Sequence, residues 1–160
     1  MGVLTVLYSV PPAIMKKVRA DNERLAFVFG DEETDDPAWR AASYDFDKHF
    51  YEFATIVSAA GAPTARRAFD FEDPADNEPE YGSYDLRVAT PTKVKKIAKE
   101  LAAVTFEQAK AKALEQETTD YSGRLIPADE YEGYAGDLEE VKAFFAKAAE
   151  AGHFIVGAEG

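Results

Sequence analysis

The residues that could do acid or base chemistry near neutral pH are concentrated in one short stretch, where Asp45, Asp47, Lys48 and His49 stand close together. Paired carboxylates can act as a general acid and base when burial separates their pKa values, and histidine titrates near neutral pH. Acids near a helix N-terminus also stabilise the helix, and Lys48 can pair with either aspartate or with Glu52 one turn on. A structural role and a binding or catalytic role therefore both stay open for this stretch.

A second candidate region is the segment 118–136, which carries Tyr121, Tyr131 and Tyr134 among glycines and a proline. Loops of this length without regular structure are usually functional or disordered. Tyrosines combine an apolar ring with a polar tip, which favours a packed loop over a solvated one. We expect this segment to form a pocket wall or a partner surface.

Motifs of known chemistry are missing elsewhere in the chain. The chain has no Cys, which excludes disulfides, thiol nucleophiles and Cys-ligated metals. No nucleophile elbow, phosphate-binding loop or dinucleotide fingerprint occurs. The acidic runs in 31–36 and 70–80 lack the spacing of a calcium loop and are interpreted as solvated. We therefore expect no metal and no cofactor, and favour a protein that is not an enzyme.

The charge balance narrows the class of partner. Asp and Glu number 30 against 18 Lys and Arg, which gives a formal net charge of −12. Such a chain is repelled by nucleic acid and by anionic membranes, whereas a basic protein partner would be attracted. The lysines between 93 and 112 are interpreted as the wet face of two helices. No apolar run approaches the ~20 residues of a membrane span, and no basic residue precedes the first apolar run, so we expect a cytoplasmic protein.

The first half of the chain predicts a strand and two helices. The apolar run at 3–9 indicates a buried strand, and Pro11-Pro12 opens a helix that ends near Ala20. The run at 25–29 fits either a strand or a helical turn. Ser43 is a suitable N-cap for a long helix over 43–60, whose end is set by Gly61 at the position after the helix.

The second half predicts a strand, two capped helices and a terminal helix with a strand. Residues 84–89 alternate as a strand with one wet face. Helices begin after Thr90 and after Thr105, which are N-cap residues. Behind an Asp137 cap, the spacing predicts that the terminal helix buries Val141, Phe144, Phe145 and Ala148. Gly152 ends this helix, and residues 153–156 form the last strand.

This order of elements predicts an α+β fold, with one domain over 1–160. Several amphipathic helices pack on a small sheet made of the N-terminal strand, the 84–89 strand and the C-terminal strand. No repeat and no linker divides the chain.

Four segments resemble a bacterial family of unknown function, the YfbM-like family. They are the strand and short helix after Met1-Gly2, the run Phe46 to Phe50, the strand-to-helix run 84–94, and the helix and strand over 138–156. The resemblance implies a small α+β domain found mostly in bacteria, and it brings no reaction and no active site. Ala54 stands where relatives often show a histidine, so a role of that histidine would not carry over.

Two functions stay open at this point. The first is a module that binds another macromolecule, for which an immunity-like or antitoxin-like role against a basic effector would suit the acidic charge. The second is an enzyme or small-ligand binder that uses Asp45, Asp47 and Lys48 beside the tyrosine-rich segment. A cleft that holds these groups would favour the second function, and a closed surface around them the first.

Overall fold

A computed structural model describes residues 5–46, 50–62, 85–120 and 122–159 of the chain. Most of the described residues lie in helices, and the strands come from both ends and the middle of the chain. The strands are β1 (Thr5–Val10), β2 (Ala42–Asp45), β3 (Asp85–Ala89) and β4 (Phe154–Glu159). The helices are α1 (Pro12–Ala20), α2 (Leu25–Phe29), α3 (Phe50–Ala59), α4 (Pro91–Ala102), α5 (Phe106–Glu115), α6 (Ala128–Tyr131) and α7 (Ala135–Ala151).

The strands form an antiparallel sheet in the order β2-β1-β4-β3. The first and last strands lie side by side in its centre, with Tyr8 opposite Val156. On the other side of β4, Val88 also lies opposite Val156. The predicted α+β fold, with a sheet that joins the two ends of the chain and the 84–89 strand, is therefore confirmed.

Helices and apolar side chains cover both faces of the sheet. Leu7, Ala89 and Ile155 belong to the larger buried cluster, with residues of α3, α4, α5 and α7. Val88 and Val156 point the other way, into a second cluster with α1, α2 and Trp39. The prediction that β3 has one wet face is wrong, because Ala89 is buried on the face that was expected to meet water.

Several helix boundaries follow the sequence signals. Helix α1 begins at Pro12 and ends at Ala20, as predicted. Helix α4 begins after Thr90, whose hydroxyl accepts a hydrogen bond from the Lys93 N–H at 3.4 Å. The hydroxyl of Thr105 caps α5 in the same way. The ambiguous run 25–29 is helical.

The predicted long helix over 43–60 is wrong in its first part. Residues 42–45 form β2, an edge strand in which Tyr44 lies opposite Leu7 and Ser43 opposite Tyr8. Ser43 is therefore no N-cap. Pairing with β1 over four residues overrides the local capping signal, since propensity is a weak preference that tertiary contacts overcome. The described helix begins at Phe50 and ends at Ala59.

The terminal helix is longer than predicted at its start. It begins at Ala135 after Tyr134, so Asp137 lies in its first turn and is not its cap. Phe145 is 1 % exposed and fully in the core. The prediction that Phe144 is buried is wrong, because this ring is only partly buried against the same cluster. Gly152 ends the helix with φ 69°, a left-handed conformation that glycine adopts without steric strain.

The segment 118–136 has more regular structure than the sequence indicates. Thr119 and Leu125 form an isolated bridge, and α6 leads into a single 3-10 turn over Glu132–Tyr134. The acidic run 31–36 is a mostly exposed loop, as expected, and the run 70–80 lies outside the described residues. Within the described residues, no helix has the length and apolar character of a membrane span.

Candidate docking cleft and its surroundings

A cleft lies between the end of α5 and the segment 118–131. It encloses about 140 Å³ and is lined by side chains from both elements: Ala113, Leu114, Glu117, Thr118, Leu125, Ile126 and Tyr131. The walls are mostly apolar, and the polar groups are two hydroxyls and one carboxylate. A concave, mainly apolar site with a few polar groups is the usual form of a binding site.

Two leucines at this cleft face water. Leu114 is 40 % exposed and Leu125 is 57 % exposed, whereas the other large apolar side chains of the described chain are at least partly buried. Both side chains keep apolar surface in contact with water. Burial of this surface would lower the free energy by roughly 25 cal/mol for each Å² removed from water. Both exposed leucines therefore border the same concave site.

The carboxylate at the cleft belongs to Glu117, which adopts an unusual backbone conformation. Its φ is 50°, and no other non-glycine residue of the described chain has a positive φ. The Thr118 N–H bonds the Ala113 carbonyl and the Glu117 N–H bonds the Leu114 carbonyl. This is a Schellman ending, in which glycine usually occupies the position of Glu117. A glutamate there stores strain, and strain of this kind concentrates at functional sites.

The far wall of the cleft is held by the buried carboxylate of Asp120, which is 8 % exposed. Its Oδ1 accepts hydrogen bonds from the Ser122 hydroxyl at 2.6 Å and from the Ser122 and Arg124 N–H groups. Its Oδ2 accepts from Arg124 Nε at 3.0 Å. The hydrogen bond from the Ser122 hydroxyl is the main reason that the pKa of Asp120 is lowered. Asp120 thus fixes a tight turn that presents Leu125.

Ion pairs tie this turn to the neighbouring helices. Arg124 also donates to both carboxylate oxygens of Glu130 at 3.1 Å, and these bonds are the largest cause of its raised pKa. Lys110 of α5 forms an ion pair with Glu132, whose hydrogen bond raises the pKa of the lysine. These pairs neutralise the acids beside the cleft. Glu117, in contrast, has no ion pair with a described residue.

The two described tyrosines of the 118–136 segment are core residues. Tyr131 is 1 % exposed, and its hydroxyl forms a hydrogen bond with the hydroxyl of Thr118, which also lines the cleft. Tyr134 is 8 % exposed. Burial, followed by the charge of Glu52, raises the pKa of Tyr134 to about 12. Tyr121 lies outside the described residues.

The carboxylate that acts on Tyr134 is itself buried. Glu52, in the first turn of α3, is 7 % exposed. No described group donates a hydrogen bond to its Oε2 atom. Buried polar atoms are nearly always paired, so an unpaired carboxylate oxygen is an energetic defect that the rest of the fold offsets.

The predicted cluster of Asp45, Asp47, Lys48 and His49 is described only in part. Asp45 is exposed at the end of β2, and the other three residues lie outside the described residues. The predicted pairing of Lys48 with a nearby acid therefore stays a prediction. The pKa of Tyr44 is raised well above its ordinary value, mainly by burial and then by the charges of Asp137 and Glu140. The charge of Asp45 makes a smaller contribution.

The second histidine forms a contact that the sequence does not show. The His153 Nδ1 atom lies 3.0 Å from the Ser9 hydroxyl, although the two residues are 144 positions apart in the sequence. A serine and a histidine in hydrogen-bond contact are a common nucleophile and base. Ser9 is only 7 % exposed in the centre of the sheet, however, and it does not line the cleft. The pair therefore links β1 to the residue that precedes β4.

The described residues hold no group of three metal-ligating side chains close enough for a metal ion. Of the lysines interpreted as a wet face, Lys95, Lys96, Lys99 and Lys112 are exposed, whereas Lys93 and Lys110 are partly buried.

Sequence reasoning missed the leucines and Glu117 of the cleft, the buried carboxylates Glu52 and Asp120, and the Ser9–His153 pair. One signal was available for the cleft. Leu114 is followed by Glu115-Gln116-Glu117-Thr118, with no glycine to end the helix. A helix that ends without glycine at this position is strained or unusual there.

Comparisons with known proteins agree with this fold. No curated protein sequence matches the chain. The crystal structure of YfbM from Escherichia coli, a protein of unknown function, is similar with a TM-score of 0.65 over 98 % of this chain and 99 % of that chain. Their identity of 9 % shows a shared fold alone. A family model described as a domain of unknown function, DUF1877, matches residues 1–157. The predicted resemblance is confirmed, and the chain belongs to the DUF1877 family.

Proposed function

We propose that this protein is an interaction module that binds a basic protein partner through the cleft between α5 and the segment 118–131. The observation that carries the proposal is the pair of water-exposed leucines, Leu114 and Leu125, on either side of a cavity of about 140 Å³. Binding energy at protein interfaces comes mainly from apolar side chains that fill such pockets.

The charge of the cleft supports a basic partner. Glu117 lines the cavity without a described cation, and the chain has a net charge of −12. A partner that inserts an aliphatic side chain beside a Lys or Arg would bury the leucines and pair with Glu117. Charge attraction would also raise the association rate. An immunity protein or antitoxin that neutralises a basic effector in the cytoplasm would use a surface of this kind.

The alternative, an enzyme built on Asp45, Asp47 and Lys48, has less support. Of these three residues Asp45 alone is described. It is exposed at the end of an edge strand and is not among the residues that line the cleft.

A photo-crosslinking experiment tests the proposal in the cell of origin. A photoreactive amino acid at position 125 should capture one predominant basic protein, whereas the same group at position 102, an exposed alanine, should not capture it. The purified partner should bind Leu114→Ser/Leu125→Ser about tenfold or more weakly than the natural chain. Glu117→Gln should weaken binding more than the control Glu150→Gln.

Two outcomes would overturn the proposal. One is a chain that gives no crosslink from position 125, or that crosslinks equally from position 102. The other is a captured partner whose affinity is unchanged by the double leucine substitution. Circular dichroism of each variant checks that the fold is retained.

A further inference from the structure

A second surface, carried by other residues, lies along β2. Among the strands of the described residues, β2 pairs with β1 alone and is an outer strand of the sheet. In an antiparallel edge strand, every second residue directs its N–H and C=O groups outward. Such an edge can accept an extended segment of another chain as an additional strand.

Helix α7 places acidic side chains beside this edge. The ring of Phe144 lies 6.2 Å from the ring of Tyr44 in β2. Asp137, Glu140 and Phe144 are spaced by three and four positions, so they share that face of the helix. Asp137 and Glu140 are the two carboxylates that act most strongly on Tyr44. Neither forms an ion pair with a described residue.

The aromatic side chains at this edge are only partly covered. Tyr44 and Phe144 are intermediate in exposure. Tyr44 also packs edge-on against Phe46, with ring centroids 5.0 Å apart. The surface therefore combines partly buried rings, carboxylates and an outer strand edge. Tyrosine and phenylalanine in this setting are typical of interface centres.

We propose that the outer edge of β2 binds an extended basic segment of a partner protein as an additional strand, with Lys or Arg at every second position. Side chains of a strand alternate between faces, so alternate residues of the segment would lie over α7 and meet Asp137 and Glu140. The intervening residues would lie on the opposite face, near Ser43. Main-chain hydrogen bonds would give affinity, and the alternating charge would give specificity.

Charge argues against a second copy of this chain as the occupant. Pairing β2 with β2 of another copy would bring two sets of the same carboxylates together, and like charges across strands are destabilising. The same acids that repel a copy attract a basic strand. The occupant is therefore a basic segment of a different protein.

A peptide titration followed by NMR of the full, isotopically labelled chain tests the proposal. The probe is Ac-Thr-Arg-Thr-Arg-Thr-Arg-NH2, and binding should shift the amide resonances of residues 42–45. The same peptide with all its residues N-methylated keeps its charge but has no residue N–H to donate to β2, and it should bind about tenfold or more weakly. The peptide with Glu in place of Arg should not bind.

Protein variants separate local charge from net charge. Asp137→Asn/Glu140→Gln should weaken binding of the arginine peptide about fivefold. The control Glu23→Gln/Glu150→Gln removes the same charge from exposed positions elsewhere and should leave the affinity nearly unchanged. Equal binding of the methylated and parent peptides, equal losses in the two double variants, or no shift at residues 42–45 at millimolar peptide would overturn the proposal. None of these outcomes bears on the cleft, because its leucines and Glu117 are untouched.

Discussion

The two buried carboxylates of the described chain, Asp120 and Glu52, have opposite surroundings at nearly the same exposure of 8 % and 7 %. Asp120 accepts hydrogen bonds at both oxygens from Ser122 and Arg124. Glu52 has an oxygen that no described donor reaches.

This difference separates two ways in which a buried acid affects a fold. A carboxylate that accepts hydrogen bonds at both oxygens organises the backbone around it, as Asp120 does for the turn that carries Leu125. A carboxylate with an unpaired oxygen loses hydrogen bonds to water on folding and gains no protein donor in their place. It therefore destabilises the folded state. The hydrogen bonds to Asp120 therefore support the wall of the cleft that carries Leu125, whereas the first turn of α3 contains a defect that substitution can relieve.

Truncation of a core residue in α7 gives a reference for the stability changes expected at the two acids. Phe145→Ala should lower the free energy of unfolding by about 3–5 kcal/mol, because the ring is fully buried and its removal leaves a cavity. The neighbouring Phe144→Ala should lower it by only about 1–2 kcal/mol, since that ring is partly exposed. Denaturant unfolding at constant m-value measures both. Equal losses in the two variants would contradict the structure.

Asp120→Ala should destabilise the chain less than Phe145→Ala but more than the same change at an exposed aspartate such as Asp129. The reason is that Ser122 and Arg124 lose their common acceptor. The lowered pKa predicts a pH dependence as well. The carboxylate stabilises the fold fully above about pH 4, and the contribution is lost as pH falls through the folded-state pKa.

Denaturant unfolding at several pH values tests this sign. The natural chain should lose stability on acidification, and Asp120→Asn should lose less over the same interval. A variant that keeps the full acid dependence of the natural chain would show that Asp120 is not the group responsible.

Glu52→Met should change stability in the opposite direction to Asp120→Ala. It should raise the free energy of unfolding by about 1–3 kcal/mol. Methionine has a similar shape and removes the unpaired oxygen from the interior. Glu150→Met, at an exposed position, should change stability by less than about 0.5 kcal/mol. A loss of stability in Glu52→Met would mean that the carboxylate is paired in solution, and the contrast with Asp120 would disappear.

The smallest change in stability is expected at Glu117, which lies close to the hydrogen-bonded turn of Asp120. Glu117→Gly should raise the free energy of unfolding by up to about 1 kcal/mol, because glycine adopts a positive φ without a steric penalty. Glu117→Ala should bring no such gain, since alanine keeps the Cβ atom. Thermal unfolding of the two variants side by side distinguishes them. A stabilising Glu117→Gly that also weakens partner binding would link the strain to the cleft.

The sequence by itself determined most of the helices and the outline of the sheet. Thr90 and Thr105 cap their helices, and Gly152 ends α7, because capping depends on side chains within a few residues of the helix end. Apolar spacing likewise predicted that Val141 and Phe145 face the core. The acidic charge is a property of composition, and it already favoured a basic partner.

The tertiary structure alone decided where the chain departs from these local signals. Ser43 became part of an edge strand because β1 was available as its partner. Asp120 accepts its hydrogen bonds from Ser122 and Arg124 of its own turn, whereas packing left one oxygen of Glu52 unpaired. The cleft required α5 and the segment 118–131 to be brought together. Such contacts depend on chain segments that meet only after folding, and the spacing of neighbouring residues carries no record of them.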